Sequence, residues 1–146
     1  MGSNGFKELQ VWQRAKSLAV SVYKLTESGK IVRDRSLVDQ LRRCAVSVPS
    51  NIAEGDERDT DRDSVRFFYM AKGSLAELIT QLEIAHEVGH LRLEEVSPLI
   101  RESTELARML GGLIKARGER QEARGRKPWA QRATTRQSPP PPPSSL

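Results

Sequence analysis

The chain has 146 residues with 37% apolar, 29% charged and only 5% aromatic side chains, a balance that fits one domain with heavily solvated outer faces. One cysteine, Cys44, excludes an internal disulfide, and no run of about 18 apolar residues is present to span a membrane. The net charge of +5 is uneven: from Gly118 onward six Lys/Arg face only Glu119 and Glu122, which leaves 18 basic and 17 acidic residues before that point.

The start MGSNGF lacks the basic and apolar regions of a signal peptide, so a cytoplasmic protein is expected, with residues 1–5 a flexible lead-in. A first helix is predicted over Lys7 to Thr26, capped by Asn4. It carries two adjoining apolar series, Leu9, Trp12, Ala19, Tyr23 and Val11, Ala15, Leu18, Val22, Leu25. A face that wide either sits centrally in a bundle or also serves a subunit contact.

Ser36 is the expected cap of a second helix, whose Leu37, Leu41, Ala45, Val48 and Ile52 recur at intervals of three and four. Arg42 and Arg43 lie off that stripe. Pro49 removes the donor for the Ala45 carbonyl, so a kink is expected, with Ser47, Ser50 and Asn51 available for the freed backbone groups. Gly55 reads as the stop. The following acidic segment, GDERDTDRD, fails as a calcium loop because Ser64 and Met70 fall where glycine and glutamate are required. It is read as a solvated turn whose acids favour the next helix N-terminus.

A third helix, Asp63 to Val88, repeats Phe68, Ala71, Leu75, Leu78, Leu82 and Ala85 in a heptad. Gly73 and Ser74 interrupt it, and a mid-helix glycine suggests close approach of the second helix. A fourth helix begins between Leu93 and Pro98 and continues Leu99, Ser103, Leu106, Leu110, Leu113 to about Lys115. Four amphipathic helices with short connections predict an all-α, antiparallel up-down-up-down bundle over residues 6–117. From Gly118 the periodicity stops, and the basic, proline-rich remainder, 118–146, has the composition of a disordered tail.

The combination FKELQVWQRAKSLAVSVYKLT, QLRRCAVSVPSNIAEG and RFFYMAKGSLAELITQLEIA closely resembles the bacterial four-helix bundle proteins encoded in intervening sequences of 23S ribosomal RNA genes. The resemblance implies a homopentameric barrel related to the accessory variability proteins of diversity-generating retroelements, which bind nucleic acid through a basic surface and act with a reverse transcriptase. Arg42, Arg43, Arg66 and Lys72 match basic positions of the family pattern. Pro49, Asn51, Glu54, Gly55, Gly73, Ser74 and Glu77 match its structural ones. The acidic segment from Gly55 to Asp63 makes this bundle less cationic than a strong RNA binder.

One enzymatic signal competes. His86-Glu87-Val88-Gly89-His90 is a literal H-E-x-x-H, in which two histidines on one helix face can hold zinc. The extended metalloprotease pattern fails, with Leu93 and Val96 in place of glycine and histidine, and the chain has no other histidine. Ser47 and Ser74 have no partnering histidine for nucleophilic catalysis. No cofactor is expected. The sequence reading is therefore a non-enzymatic, oligomeric nucleic-acid-binding accessory protein that binds structured RNA or an RNA–DNA intermediate, with a protein–protein scaffold as the alternative. Arg43 could instead pair with Glu54 or Glu77 and orient the helices.

Overall fold

The computed structural model describes residues 5–125. Four helices follow a 3-10 turn, Gly5–Glu8: α1 (Gln10–Leu25), α2 (Arg35–Asp56), α3 (Asp61–Glu87) and α4 (Leu93–Gly125), with a second 3-10 turn at Lys30–Arg33 between α1 and α2. No strand occurs among the described residues. Consecutive helices pack together and α1 closes on α4, giving a four-helix bundle. Among the described residues no helix is long and apolar enough to cross a membrane.

The core is the heptad stripe of each helix. Phe68, Leu75, Leu78 and Leu82 of α3 are fully buried against Leu41, Val48 and Ile52 of α2 and Leu106 and Leu110 of α4. From α1, Val11, Ala15, Leu18 and Val22 of one series are buried and Leu25 is half-buried, while of the other series Ala19 alone is buried, Leu9 and Trp12 are half-buried and Tyr23 is 41% exposed. A cross-helix ion pair, Arg14 to Glu102 at 2.7 Å, fixes α1 on α4.

The helix limits differ from the sequence expectation where side chains outside the periodic pattern intervene. The α2 cap is Asp34 rather than Ser36: its carboxylate accepts the Leu37 N–H at 3.1 Å, and an ionised acceptor at a helix N-terminus gains from the aligned peptide dipoles. The helix then runs through Pro49 to Asp56. Ser47 donates to the Cys44 carbonyl and Asn51 to the Ser47 carbonyl, so neither reaches the carbonyl of Ala45 that the proline leaves. Thr60 caps α3, accepting from the Asp63 N–H at 3.2 Å. The expected Asn4 cap of α1 lies outside the described residues.

Gly55 is a correction. It does not stop α2; it is buried inside the helix, and a Cβ built there would lie 2.8 Å from Phe68 Cε1 and 3.1 Å from Phe67 Cβ. Its carbonyl accepts the Ser64 hydroxyl at 2.6 Å. The close approach of α2 and α3 thus occurs here. Gly73, where it was expected, is exposed and would meet nothing within 4 Å.

The segment expected to be disordered from Gly118 is also corrected as far as Gly125, because α4 continues to that residue. At 33 residues, α4 is about 50 Å long. Its last turns are held by the acidic segment: Asp61, buried although charged, pairs with Arg120, with Arg124 at 3.5 Å and with Arg117 at 3.8 Å, and Arg117 also reaches Asp56 at 3.2 Å. These acids are therefore not the solvated turn expected from the sequence, because hydrophobic periodicity carries no sign of a partner 59 residues away. Residues 126–146, with the proline run, lie outside the described residues.

Two outcomes follow for stability. Gly55→Ala should cost about 1–3 kcal/mol through overpacking against Phe68, whereas Gly73→Ala should be neutral or stabilise by up to about 1 kcal/mol; equal effects in chemical denaturation would refute the assignment. The Arg120 hydrogen bond, reinforced by Arg124 and Arg117 against the effect of burial, holds the Asp61 carboxyl below its ordinary range. The clamp's contribution is therefore complete above the unfolded carboxylate value of about 3.9 and is lost as pH falls through the lower folded value. Denaturation midpoints taken between neutral and acid pH should fall more steeply for the native chain than for Asp61→Asn; parallel profiles would exclude this role.

Candidate nucleic-acid interface

The outer face of α3 is set by helical spacing. Arg62, Arg66, Tyr69 and Gly73 stand at i, i+4, i+7 and i+11, one stripe directed away from the buried heptad of the same helix. All four are exposed, Tyr69 by 57% and the adjacent Met70 by 51%. No acid occurs between Asp63 and Glu77. Neither Arg62 nor Arg66 has an ion pair among the described residues. Arg66 rests instead with its guanidinium 5.1 Å from the Phe67 ring centroid, and Arg58 covers the same ring at 4.4 Å. Arginine stacked on an aromatic ring keeps its donors directed outward while giving up little side-chain freedom.

Beside this stripe, between α2 and α3, is an open groove of about 680 Å³ lined by Arg43, Asn51, Gly73, Ser74 and Glu77, among others. Its floor is a polar seam. The Ser74 hydroxyl donates to the Ser47 hydroxyl at 2.6 Å, since the Ser47 proton goes to the Cys44 carbonyl, and the Cys44 thiol donates to the Ser74 carbonyl at 2.9 Å and lies 3.7 Å from a Glu77 carboxylate oxygen. Burial, reinforced by the Glu77 charge, pushes the Cys44 thiol up to about 12. The thiol therefore stays protonated near neutral pH and serves as a donor. The neighbouring Gln81 contributes a buried Oε1 that has no donor among the described residues.

The four basic positions singled out from the sequence do not form one patch. Arg42 turns toward α1: its Nε donates to the Thr26 hydroxyl at 2.9 Å and its guanidinium lies 4.5 Å from the Tyr23 ring centroid. Arg43, one residue on, is exposed at the groove, and it bonds neither Glu54 nor Glu77. Glu54 pairs with Arg58 at 2.5 Å. Lys72 is exposed, but six residues at about 100° each set it roughly 120° around the helix from Arg66. Of the structural positions, Asn51, Gly73, Ser74 and Glu77 converge on the groove, while Pro49 and Gly55 serve the course and packing of α2. Arg62 and Tyr69 were missed from the sequence; their signal was the i, i+7 spacing that puts both on the stripe of Arg66, with Tyr69 inside the acid-free stretch and Arg62 just before it.

The H-E-x-x-H reading is overturned by the backbone. The α3 helix ends at Glu87, and Gly89 takes φ +84°, so the pair of histidines does not share a helix face. His86 Nδ1 lies 3.0 Å from the Leu91 carbonyl, and His90 Nε2 lies 3.2 Å from Asp34 Oδ2. The imidazoles are committed to two different turns. No cluster of three metal-ligating side chains occurs among the described residues.

With this geometry in hand, comparison places the chain. The family model for the 23S rRNA-intervening sequence protein matches residues 7–112. The chain belongs to that family. A solved structure from the same circle, described as a protein of unknown function from the S23 ribosomal protein family of Bacteroides thetaiotaomicron, is similar with a TM-score of 0.66 at 21% identity, over 72% of this chain and 98% of the other. At that identity the likeness is one of fold. Comparison with curated proteins gave no match. The matched span of the 23S rRNA-intervening sequence protein family includes the groove and the α3 stripe and stops before the arginines that close on Asp61.

The Cys44 environment has a direct readout. A thiol reagent at pH 8 should modify the folded protein at least about 100-fold more slowly than a free cysteine, because only the thiolate reacts, and unfolding should restore the ordinary rate. Rapid labelling of the native chain would contradict the buried, protonated thiol.

Proposed function

We propose that this protein is a non-enzymatic RNA-binding accessory protein whose contact surface is the acid-free stripe of α3. The observation that carries the reading is the alignment of Arg62, Arg66 and exposed Tyr69 on one face, with no ion pair to either guanidinium among the described residues. Guanidinium groups suit phosphate oxygens, and an exposed aromatic ring offers a platform for an unpaired base. Arg43 borders that face from the groove, while Lys72 lies farther around α3. The family's description, which names 23S rRNA intervening sequences, agrees with an RNA partner.

In the finer form of the proposal, the helices run antiparallel and five copies join in a ring in the cytoplasm. Repetition answers the weak charge of one bundle, since linked copies of a modest site gain avidity without new contacts. A reverse transcriptase as working partner follows from the resemblance to retroelement accessory proteins alone. A protein–protein scaffold is the competing reading, and the exposed Met70 beside the open groove is the observation in its favour.

Fluorescence anisotropy with a labelled RNA hairpin at low salt separates the two, alongside the mass of the native assembly. The proposal expects saturable binding that weakens steeply with salt, and an affinity loss of at least about tenfold, or about 1.4 kcal/mol, in Arg62→Ala/Arg66→Ala with the assembly mass unchanged. No measurable binding at low salt would leave the scaffold reading. Loss of assembly in the double variant would make the stripe a subunit contact instead.

A further inference from the structure

A second cationic feature lies where the α1–α2 and α3–α4 connections meet. His90 and Asp34 join them at 3.2 Å, and Gly29 and Gly89 turn the two chains at φ +86° and +84°. Between the connections is a cavity of about 460 Å³, whose lining includes Lys24, Ser28, Lys30, His90 and Arg92. A second depression shares Gly29, Lys30 and His90 with it and adds Arg33.

The acids of this region are already engaged. Glu95 accepts from the backbone and guanidinium of Arg92 and is held below its ordinary carboxylate range by those bonds. Asp34 is shared between His90 and the Leu37 N–H that it caps. Glu27 lines neither cavity. Lys24, Lys30 and Arg33, by contrast, have no ion pair among the described residues. Three unneutralised cations therefore border two adjoining concavities that meet at Lys30 and His90, and the Ser28 hydroxyl adds a neutral donor. An added Cβ at Gly29 or Gly89 would meet nothing within 4 Å, so the backbone leaves the mouth open.

We propose that this end of the bundle binds a small anion carrying at least two phosphate groups, of the diphosphate class, with Lys24, Lys30 and Arg33 as the phosphate-binding residues. Lys24 lines only the first concavity, Arg33 only the second and Lys30 both, so two joined phosphates can engage cations of both concavities where a single phosphate occupies one. Concavity distinguishes the site from the convex α3 stripe, on which an extended RNA would lie. The proposal does not depend on RNA binding.

Calorimetric titration of the full chain with pyrophosphate and with inorganic phosphate, at low salt, tests it. Saturable pyrophosphate binding at least about tenfold tighter than phosphate is expected, as charge-assisted contacts accumulate over the second phosphate. Lys24→Ala/Lys30→Ala should lose about tenfold or more in pyrophosphate affinity, and Arg33→Ala should weaken it separately. All three side chains are exposed, so the circular dichroism of these variants should match the native chain. Arg62→Ala/Arg66→Ala should bind pyrophosphate as the native protein does. No saturable binding up to millimolar pyrophosphate, or native affinity in Lys24→Ala/Lys30→Ala, overturns the proposal. So does a parallel loss of RNA and pyrophosphate binding in either double variant, which would make the two surfaces one.

Discussion

A buried carboxylate organises one end of this bundle. Asp61 sits 7% exposed at the first residue of α3, where a charge withdrawn from water is tolerated only if its oxygens are satisfied. Arg117, Arg120 and Arg124 supply the partners from three positions spaced three and four apart on α4, so a single α4 face wraps the acid. The same end contains Gly55, pressed against Phe68, and Arg117 lies 5.7 Å from that ring's centroid. Charge pairing and close helix approach therefore reinforce each other: α3 is fixed to α4 by ions and to α2 by the missing methyl group.

The seam between α2 and α3 changes character along its length. Near Gly55 it is apolar and tight. Toward Ser47 and Ser74 it becomes a short hydrogen-bonded line, with the Cys44 thiol as one donor, and then opens into the groove bordered by Arg43 and Glu77. Small polar side chains can satisfy one another across a helix pair without filling the space outside it. That is why Asn51, Gly73, Ser74 and Glu77 line a surface concavity rather than the core. The stripe of α3 next to it inherits its exposure from the same geometry, since α3 spends its inner face on the heptad and its flanks on α2 and α4.

Helix number and core residues were legible because burial writes a period of three and four into the sequence: the α3 heptad returns from Phe68 to Ala85, and in α4 Ser103, Leu106 and Leu110 are buried, whereas Leu99 and Leu113 are half-buried and Val96 and Ile114 are buried instead. Asp34, Gly55 and Arg120 were not legible in that way. Asp34 as a cap competes with Ser36 on local chemistry alone. Gly55 resembles a helix stop unless the ring of Phe68 is known to occupy the missing side chain's place. Arg120 belongs to a stretch whose composition reads as disordered, and only a partner distant in sequence makes it helical.

The sequence by itself determined that four amphipathic helices form and which face of each is buried, because amphipathic periodicity is a local property of the chain. It also carried the family motifs and the uneven charge. The tertiary structure decided how adjacent residues divide their roles. Arg42 and Arg43 are neighbours in sequence, yet about 100° of helical rotation sends one to Thr26 and Tyr23 and leaves the other at an open groove. His86 and His90 keep a metal-binding spacing, but a glycine turn between them assigns each to a separate connection. Direction, not composition, separates a charge that holds the fold from one left free to meet a ligand, and direction exists only once the helices are packed.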